Sequence, residues 1–328
     1  MDHIQALRVS MVILFSSVSL LSQVADENLR FPIHPVWNHG QELLSEWRGE
    51  VLLVLAWDHK ASRSHEVVSL AAHLSDRYLA DGLSVILHHE RDDKEAPIAA
   101  LRAGATRGTL LALGPLEGTA EREARPSVCL YGPDGSLASS DLPNGTSRVA
   151  LERRIQELLA IRSEGFGTNK LSRSVRRSLY AYGDFARAEQ QIAEARDLSA
   201  SAEELRNLNL EVDAHFERAL NQLRSLESAG RLHEAVTKWE DLSSRTWSDS
   251  KRRSALLKEF PRAPYFQDHL ATTASFALDR TWQLPRWGAN EAEHLLQLRK
   301  GYQSLDANHP VALRITLLIN TFFPNRKI

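Results

Sequence analysis

Hydrophobic positions along the first half of the chain switch between a strand-like and a helix-like pattern. The run VLLVLAW at 51–57 is continuously apolar, which is typical of a strand buried on both faces. Apolar residues then recur every three or four positions over 67–79, and Asp81 and the glycine after it end that predicted helix. LSVILHH at 83–89 predicts a second strand, and APIAALRAG predicts a helix with Gly104 as its C-cap.

A hairpin and an amphipathic helix complete this first region. The turn sequence GPDG at 132–135 lies between two strand-like arms, which is a strong hairpin signal. The next segment places Val149, Ile155, Leu158 and Leu159 on one apolar face of a helix. The order strand, helix, strand, helix, hairpin, helix predicts an α/β sandwich with some parallel strand pairing.

From residue 171 onward the pattern is helical. The segment SEGFGTNKLS, with two glycines and small polar residues, predicts a linker over 163–170. Ser201 and Glu204 have the spacing of a capping box at the start of a long helix that Gly230 ends. We predict further helices at 231–244, 267–281, 290–304 and 310–321, so this region is expected to be all-α.

Two segments of the helical region share the pattern Gly-x-apolar-x-x-Ala-x-x-x-apolar-x-x-apolar. One begins at Gly183 and the other at Gly230. The pattern resembles the turn and second helix of a tetratricopeptide repeat, although the two glycines are 47 residues apart, where that repeat has a period of about 34. A repeat-like array of irregular helical hairpins and a plain helical bundle both remain open.

The N-terminus predicts a secretory signal peptide over residues 1–25. Residues 9–21 are uncharged and largely apolar, Arg8 precedes them, and Ala25 is followed by two acidic residues. The run is too short to span a bilayer, which takes about 20 residues. We therefore expect an exported protein, periplasmic or extracellular, with no integral membrane segment in the mature chain.

Composition limits the classes of function. Apolar residues make up 43% and charged residues 25% of 328, which is typical of globular proteins and long enough for two domains. A formal net charge of −2 gives no general attraction to nucleic acid. The single cysteine, Cys129, cannot close an internal disulfide, so a dithiol cycle within this chain is excluded by count.

The first region resembles the thioredoxin-like fold, in its exported thiol-disulfide reductase branch, over about residues 36–161. The resemblance rests on the buried strand ending at Trp57, the helix starting near Ser64, the Arg125-Pro126 pair before the hairpin, and the final helix. In that family the proline before the hairpin strand is cis and faces the redox motif, and Pro126 matches it by context. The resemblance implies a thioredoxin-like domain over 26–162, followed by an α-helical, tetratricopeptide-like domain over 171–328.

The Cys-x-x-Cys motif of that family is absent from the junction between the first strand and the first helix. Aligning WDHKASRSHEVV with the family pattern places Ala61 and Ser64 where the two cysteines belong. The family reaction needs a thiolate that the helix dipole stabilises. Ala61 carries no nucleophile, and the dipole cannot ionise the hydroxyl of Ser64, which is better suited to capping the helix. We therefore predict a redox-inactive domain.

The expected function is binding of a protein or peptide, without a cofactor. Members of the family hold extended peptides against the cis-proline edge by backbone hydrogen bonds. The resemblance assigns that surface to Trp57, Ala61, Ser64, Arg125 and Pro126. Concave helical arrays also bind extended segments, so both regions favour binding. A simpler hypothesis is a structural protein whose first domain only orients the second.

A metal site is one alternative. If 51–57 and 83–89 are neighbouring parallel strands, their carboxyl ends lie side by side, and Asp58, His59, His88, His89 and Glu90 can converge there. Imidazole and carboxylate groups suit Zn, Cu or Fe. The spacing is not that of a structural zinc site, so solvated histidines at the rim are the simpler interpretation.

A thiol-dependent redox protein that uses Cys129 is the other alternative. Alternation along its strand predicts a buried side chain, and a small packed apolar residue is the simpler interpretation.

Paired carboxylates are also a candidate catalytic site. The acidic pair Asp92 and Asp93 falls in the charged run HERDDKE, which predicts a solvated loop.

Overall fold

The first region is a five-stranded mixed sheet. The computed structural model describes residues 28–38, 40–105, 108–117, 128–140, 148–197, 201–245, 258 and 288–325. The strands follow one another in the order β3-β2-β1-β4-β5. Strand β1 pairs with β2 in parallel, as does β2 with β3, whereas β4 is antiparallel to both β1 and β5. The strands are β1 Val51–Ala56, β2 Leu83–His89, β3 Thr109–Leu113, β4 Val128–Tyr131 and β5 Leu137–Ser140.

Helices cover this sheet and connect its parallel strands. The first three are α1 Ser64–Tyr78, α2 Ala96–Arg102 and α3 Arg148–Glu164. Helix α1 ends in a short 3₁₀ turn, after which Gly82 takes a φ of 96° and returns the chain to β2. A left-handed φ of this kind is open to glycine without the steric cost of a Cβ. Strands β1, β2, β4 and β5, with α1 and α3, follow the strand, helix, strand, hairpin and helix order that the resemblance predicted.

Strand β3 was not predicted from the sequence. Its five residues, Thr109–Leu113, form an apolar run too short to separate from a loop or a helix end by periodicity alone. All five are buried, because β2 lies on one side and the N-terminal segment on the other. The His34 amide donates to the Leu111 carbonyl at 2.7 Å, and the Leu113 amide donates to Pro32 at 2.9 Å. The edge of the sheet is therefore covered by chain that precedes β1.

Helix α3 buries one face, but its first turn departs from the prediction. Ile155, Leu158 and Leu159 are buried as expected, whereas Val149 is 75% exposed. Val149 lies at the start of the helix, where the apolar stripe has not yet reached the sheet. The amphipathic pattern was correct, but its first member does not contribute to the core.

Within 170–245 each helix packs against the next one in the chain, and the last two described helices pack against each other. The described α-helices of this region are α4 Lys170–Arg176, α5 Phe185–Asp197, α6 Ala202–Ser228, α7 Leu232–Arg245, α8 Ala289–Leu305 and α9 Pro310–Phe322. The hydroxyl of Ser201 accepts from the Glu204 amide at 3.1 Å and caps α6, whereas the Glu204 carboxylate accepts from Asn169 instead of completing the predicted capping box. Gly230 ends that helix with a φ of 68°. The helix predicted at 267–281 lies outside the described residues.

The two C-terminal helices share a hydrophobic core with the sheet. Leu295 of α8 and Ile315 and Ile319 of α9 are fully buried in the same cluster as β1 and β2. Helices α4 to α7 enclose a second cluster around Phe185 and Phe216. The chain thus leaves the first core, builds a second, and returns to the first. Among the described helices, none combines the length and apolarity needed to cross a bilayer.

Candidate functional sites

The junction after β1 is held by an indole beneath the surface. Trp57 is 5% exposed, and its Nε1 donates to the backbone carbonyl of Ser64 at 3.2 Å. Ser64 is the first residue of α1, the N-cap position belongs to Arg63, and no side chain caps this helix. The predicted capping role of Ser64 is therefore wrong. The chain already turns before it, because the Ala61 amide donates to Asp58 and the Ser64 amide donates to Ala61.

The residues predicted to replace the redox cysteines lie near the helix start. Ala61 is exposed and Ser64 is half-buried. Arg125 and Pro126, the other members of the predicted peptide-binding surface, lie outside the described residues. The structure therefore places Trp57, Ala61 and Ser64 at one junction, and the surface as a whole remains a prediction.

Cys129 lies within the sheet and is half-buried. It is on β4 opposite Val54 of β1, and its side chain packs against the first hydrophobic core. The alternation of its strand predicted a fully buried side chain, which overstates its burial. Its partner Val54 is several residues before the junction, so the thiol does not stand where the family has its sulfur.

Two histidines meet at the carboxyl ends of β1 and β2. The parallel register pairs Ala56 with His88, which brings the residues that follow β1 beside the last residue of β2. The Nδ1 atom of His59 lies 3.2 Å from the Nε2 atom of His89, with the two ring centroids 5.2 Å apart. The indole of Trp57 contacts both rings, at centroid distances of 6.1 and 5.7 Å. We call Asp58, His59, His89, Asp93 and Glu95 the strand-end cluster.

His88 and Glu90 do not join this cluster, although both were predicted candidates. Successive residues of a strand point to opposite faces, so His88 points away from His89. Its Nε2 atom lies 2.9 Å from the carbonyl oxygen of Gly114. Glu90 is exposed. Of the predicted metal candidates, the structure brings together Asp58, His59 and His89.

Asp93 and Glu95 complete the cluster from the following loop. Their carboxylates lie 3.7 and 3.9 Å from the Nε2 atom of His59. Asp93 is half-buried and accepts from the Lys60 ammonium at 3.0 Å, so the prediction of a simple solvated loop is wrong for this residue. Hydrogen bonds from the Glu95 backbone and from Lys60 lower the pKa of Asp93 to about 2. The charged run HERDDKE marks these carboxylates in the sequence, but only the fold determines that Asp93 turns towards His59.

Asp58 is held in an ionised, oriented state. Its Oδ1 atom accepts from the Lys60 backbone amide at 2.9 Å, and this hydrogen bond lowers the pKa of Asp58 below its ordinary value. The same oxygen lies 3.8 Å from the Nε2 atom of His89. The cluster therefore combines two imidazoles with three carboxylates in a small volume.

A second polar site lies where the sheet region meets the helical region. A cavity of about 300 Å³, here called the interface cavity, opens between the start of β1, α3 and helices α6 and α7. Arg162 of α3 forms one side and donates to the carbonyls of Gly49, Asp81 and Tyr180 at 2.7, 3.0 and 2.6 Å. The ionisable residues lining the cavity are Glu46, Arg48, Glu50, Arg162, Tyr180, His215, Arg218, Lys238 and Asp241.

Two guanidinium groups in this cavity each have an N–H without a hydrogen-bond partner within the described part of the chain. The Nε atom of Arg48 and the Nη2 atom of Arg218 are buried without one. Burial lowers the pKa of Lys238, although Glu50 and Asp241 act in the opposite direction. Burial also lowers the pKa of His215 to about 3, so its imidazole is neutral at physiological pH. The carboxylates of Glu50 and Asp241 line the cavity as well, so the need for acceptors is confined to the two guanidinium groups.

A nearby carboxylate does not meet this need, because it is already engaged. Glu211 of α6 accepts hydrogen bonds from Arg176 at 2.9 Å and from the Tyr180 hydroxyl at 2.9 Å, and it lies 3.7 Å from the Nε atom of Arg48.

The interface cavity was not predicted from the sequence. Its lining residues range from position 41 to 242, and no local motif connects them.

Comparisons with known proteins return distant structural similarity. No family model matches the chain, and no curated protein sequence does. A structure described as a thiol:disulfide interchange protein DsbE from Chlorobium tepidum is 18% identical, with a TM-score of 0.30, over 35% of this chain and 84% of that one. Another, described as a protein disulfide isomerase from Bacteroides thetaiotaomicron, is also 18% identical, with a TM-score of 0.32, over 40% and 85%. The order and directions of the strands show a mixed α/β sheet that ends in an antiparallel hairpin, and this observation does not depend on these scores.

Proposed function

We propose that the chain is an exported, non-catalytic binding protein that uses the interface cavity to recognise an acidic segment of a protein or peptide. The observation that carries this proposal is the pair of buried guanidinium N–H groups without acceptors, on Arg48 and Arg218, beside Lys238, whose pKa burial lowers. A buried donor left without a partner costs about 1–3 kcal/mol. A ligand carboxylate supplies the missing acceptors, and arginine is well shaped to bind it.

The size of the cavity favours an anchor within a larger partner. A space of about 300 Å³ is at the lower limit of small-molecule pockets. It holds one or two side chains, so most of the contact with a partner falls on the surrounding surface. Helices α4 to α7 pack consecutively, which fits a repeat-like array as well as a plain helical bundle, and repeat-like arrays bind extended segments.

The absence of dithiol chemistry is the other part of the proposal. The sequence has one cysteine, which lies within the sheet, and the junction has Ala61 and Ser64 where the family has its reactive pair. Export rests on the apolar segment at 9–21. Sequencing the N-terminus of the protein recovered outside the cytoplasm tests cleavage near Ala25.

Fluorescence anisotropy with labelled decapeptides tests the binding proposal. Three probes share a Gly-Ser background and carry aspartates, lysines or neither. We expect the acidic probe to bind, with an affinity that falls as salt rises because part of the attraction is electrostatic. Replacing Lys238 with methionine, which keeps the apolar stem, removes a charge-assisted hydrogen bond and is expected to weaken binding about ten- to hundredfold.

The matched control is Lys300→Met, which removes the same charge from an exposed position on α8. Binding of all three probes with equal affinity would contradict the proposal. So would an equal loss of affinity in the Lys300→Met variant, because the effect would then reflect net charge instead of the cavity.

A further inference from the structure

The backbone of Arg91 makes two contacts with the Nδ1 atom of His89. The Arg91 carbonyl oxygen, which can only accept, lies 2.7 Å away, and the Arg91 amide, which can only donate, lies 3.3 Å away. The shorter contact favours the tautomer that carries its hydrogen on Nδ1. In a neutral ring the Nε2 atom of His89 then has no hydrogen, and it presents a lone pair to His59.

His59 has no neutral tautomer that suits both of its neighbours. If its hydrogen is on Nδ1, it bonds His89, but the bare Nε2 lone pair faces the carboxylates of Asp93 and Glu95. If its hydrogen is on Nε2, two lone pairs face each other across 3.2 Å. The side chain is 8% exposed, and its Nε2 atom is buried without a hydrogen-bond partner among the described residues. A cation held between the two facing nitrogens would use both lone pairs.

We propose that this cation is a divalent transition-metal ion, of the class of Zn²⁺, bound by the Nδ1 atom of His59, the Nε2 atom of His89 and the carboxylate of Asp58. Tetrahedral zinc with nitrogen and oxygen ligands holds them about 3.3–3.4 Å apart. The two nitrogens are separated by 3.2 Å, and the Nε2 atom of His89 is 3.8 Å from the Oδ1 atom of Asp58. All three residues offer ligand atoms within 4.8 Å of one another.

The groups around these three residues match the outer shell of a metal site. Metal-bound histidines donate their other ring nitrogen to a carboxylate or a backbone carbonyl. His89 already directs Nδ1 to the Arg91 carbonyl, and His59 directs Nε2 towards Asp93 and Glu95. Lys60 holds Asp93 in place from the solvent side. With the metal bound, both facing lone pairs are used, and the Nε2 hydrogen of His59 points towards Asp93 and Glu95, whose carboxylates lie 3.7 and 3.9 Å away.

Three protein ligands leave at least one coordination position for water or another ligand. The Asp58 side chain is 58% exposed, so this position is on the solvent side of the cluster. Two imidazoles and one carboxylate with an open position are typical of sites for Zn²⁺ or Fe²⁺. This site is separate from the interface cavity and goes beyond the proposed binding function, so either can fail alone.

Metal retention by the full chain tests the inference. The protein is stripped with a chelator, given one equivalent of Zn²⁺, dialysed and analysed by mass spectrometry for metal, with affinity measured by chelator competition. We expect one bound ion per chain. His89→Gln is expected to weaken the affinity more than about a hundredfold, because it removes a ligand, whereas Asp93→Asn is expected to weaken it about ten- to hundredfold, as outer-shell changes do.

Two further variants keep the experiment decisive if the buried His89 substitution disturbs folding. Asp58→Asn changes one exposed atom and should reduce affinity by about tenfold or more, while His65→Gln, on the exposed start of α1, should leave it unchanged. Nitrogen NMR of the imidazoles gives an independent readout, since Zn²⁺ must shift Nδ1 of His59 and Nε2 of His89. An absence of retained metal, unchanged affinity in Asp58→Asn, or a His59 ring that carries protons on both nitrogens with Zn²⁺ present would overturn the inference.

Discussion

The strand-end cluster and the interface cavity both contain ionisable groups near one another, but they differ in charge and in origin. The cluster has three carboxylates around two imidazoles, and it is suited to a cation. The cavity has buried cationic groups without acceptors, and it is suited to an anion. The cluster comes from three neighbouring segments at one edge of a sheet, whereas the cavity needs the sheet region and the helical region together.

The junction after β1 has a buried strand, an indole and a helix start, and two imidazoles lie beside it. Ala61 and Ser64 stand where the resemblance places cysteines. The largest effect we expect would come from restoring the sulfur.

The double variant Ala61→Cys with Ser64→Cys, made with Cys129→Ala, should gain disulfide exchange. Ser64 begins α1 and Ala61 is exposed, so the new thiols stand at a helix N-terminus, which favours the thiolate. We expect reduction of insulin disulfides by dithiothreitol to rise on the order of tenfold above the original chain. The single variant Ala61→Cys lacks a resolving thiol and should stay near the background rate. A folded but inactive double variant would show that the junction does not support disulfide exchange even when it carries two cysteines.

An intermediate effect is expected where the helical region meets the first core. Gly230 has a φ of 68°, and a Cβ there would lie 2.5 Å from the carbonyl oxygen of Pro310 at the start of α9. Gly230→Ala should therefore lower the free energy of unfolding by about 1–3 kcal/mol, measured in urea.

Gly104 provides the matched control, because its φ is 95° and a Cβ there would meet nothing within 4 Å. Gly104→Ala carries the backbone strain without the contact, so it should cost less than Gly230→Ala. Equal losses would mean that the turn after α6 and the start of α9 are not in firm contact.

The smallest effect concerns the pH dependence of the interface cavity. His215 is stacked on Phe185 and its pKa falls to about 3 through burial, from an ordinary value of 6.5. Between these two values the unfolded chain binds a proton that the folded chain does not, so stability must fall as pH is lowered through this window. We expect a loss of about 1 kcal/mol between pH 7 and about 5.8 from this group.

Replacing His215 with glutamine should flatten that part of the stability curve, measured by urea unfolding at each pH. His34 must be treated as a background term, because burial lowers its pKa to about 4. An unchanged slope in the His215→Gln variant would show that this imidazole is hydrated in the folded protein.

Local pattern was enough to predict most of the elements. The strands β1 and β2, helices α1 to α3, the hairpin, and helices α6 to α9 were all predicted within a few residues of their bounds. Each has its own periodicity, turn residues or cap, and these act over short distances in the chain. Strand β3 was missed because five apolar residues carry no period, and its pairing with β2 is what makes it a strand.

The metal ligands were partly predictable for the same reason. Neighbouring parallel strands place their carboxyl ends at one edge, so His59 and His89 could be brought together from the sequence. Only the tertiary structure decided that His88 points to the other face and that Asp93 turns towards His59. No sequence pattern predicts the interface cavity, because its lining comes from segments that lie about two hundred residues apart in the chain. Which of its cationic groups lack an acceptor depends on how those segments pack.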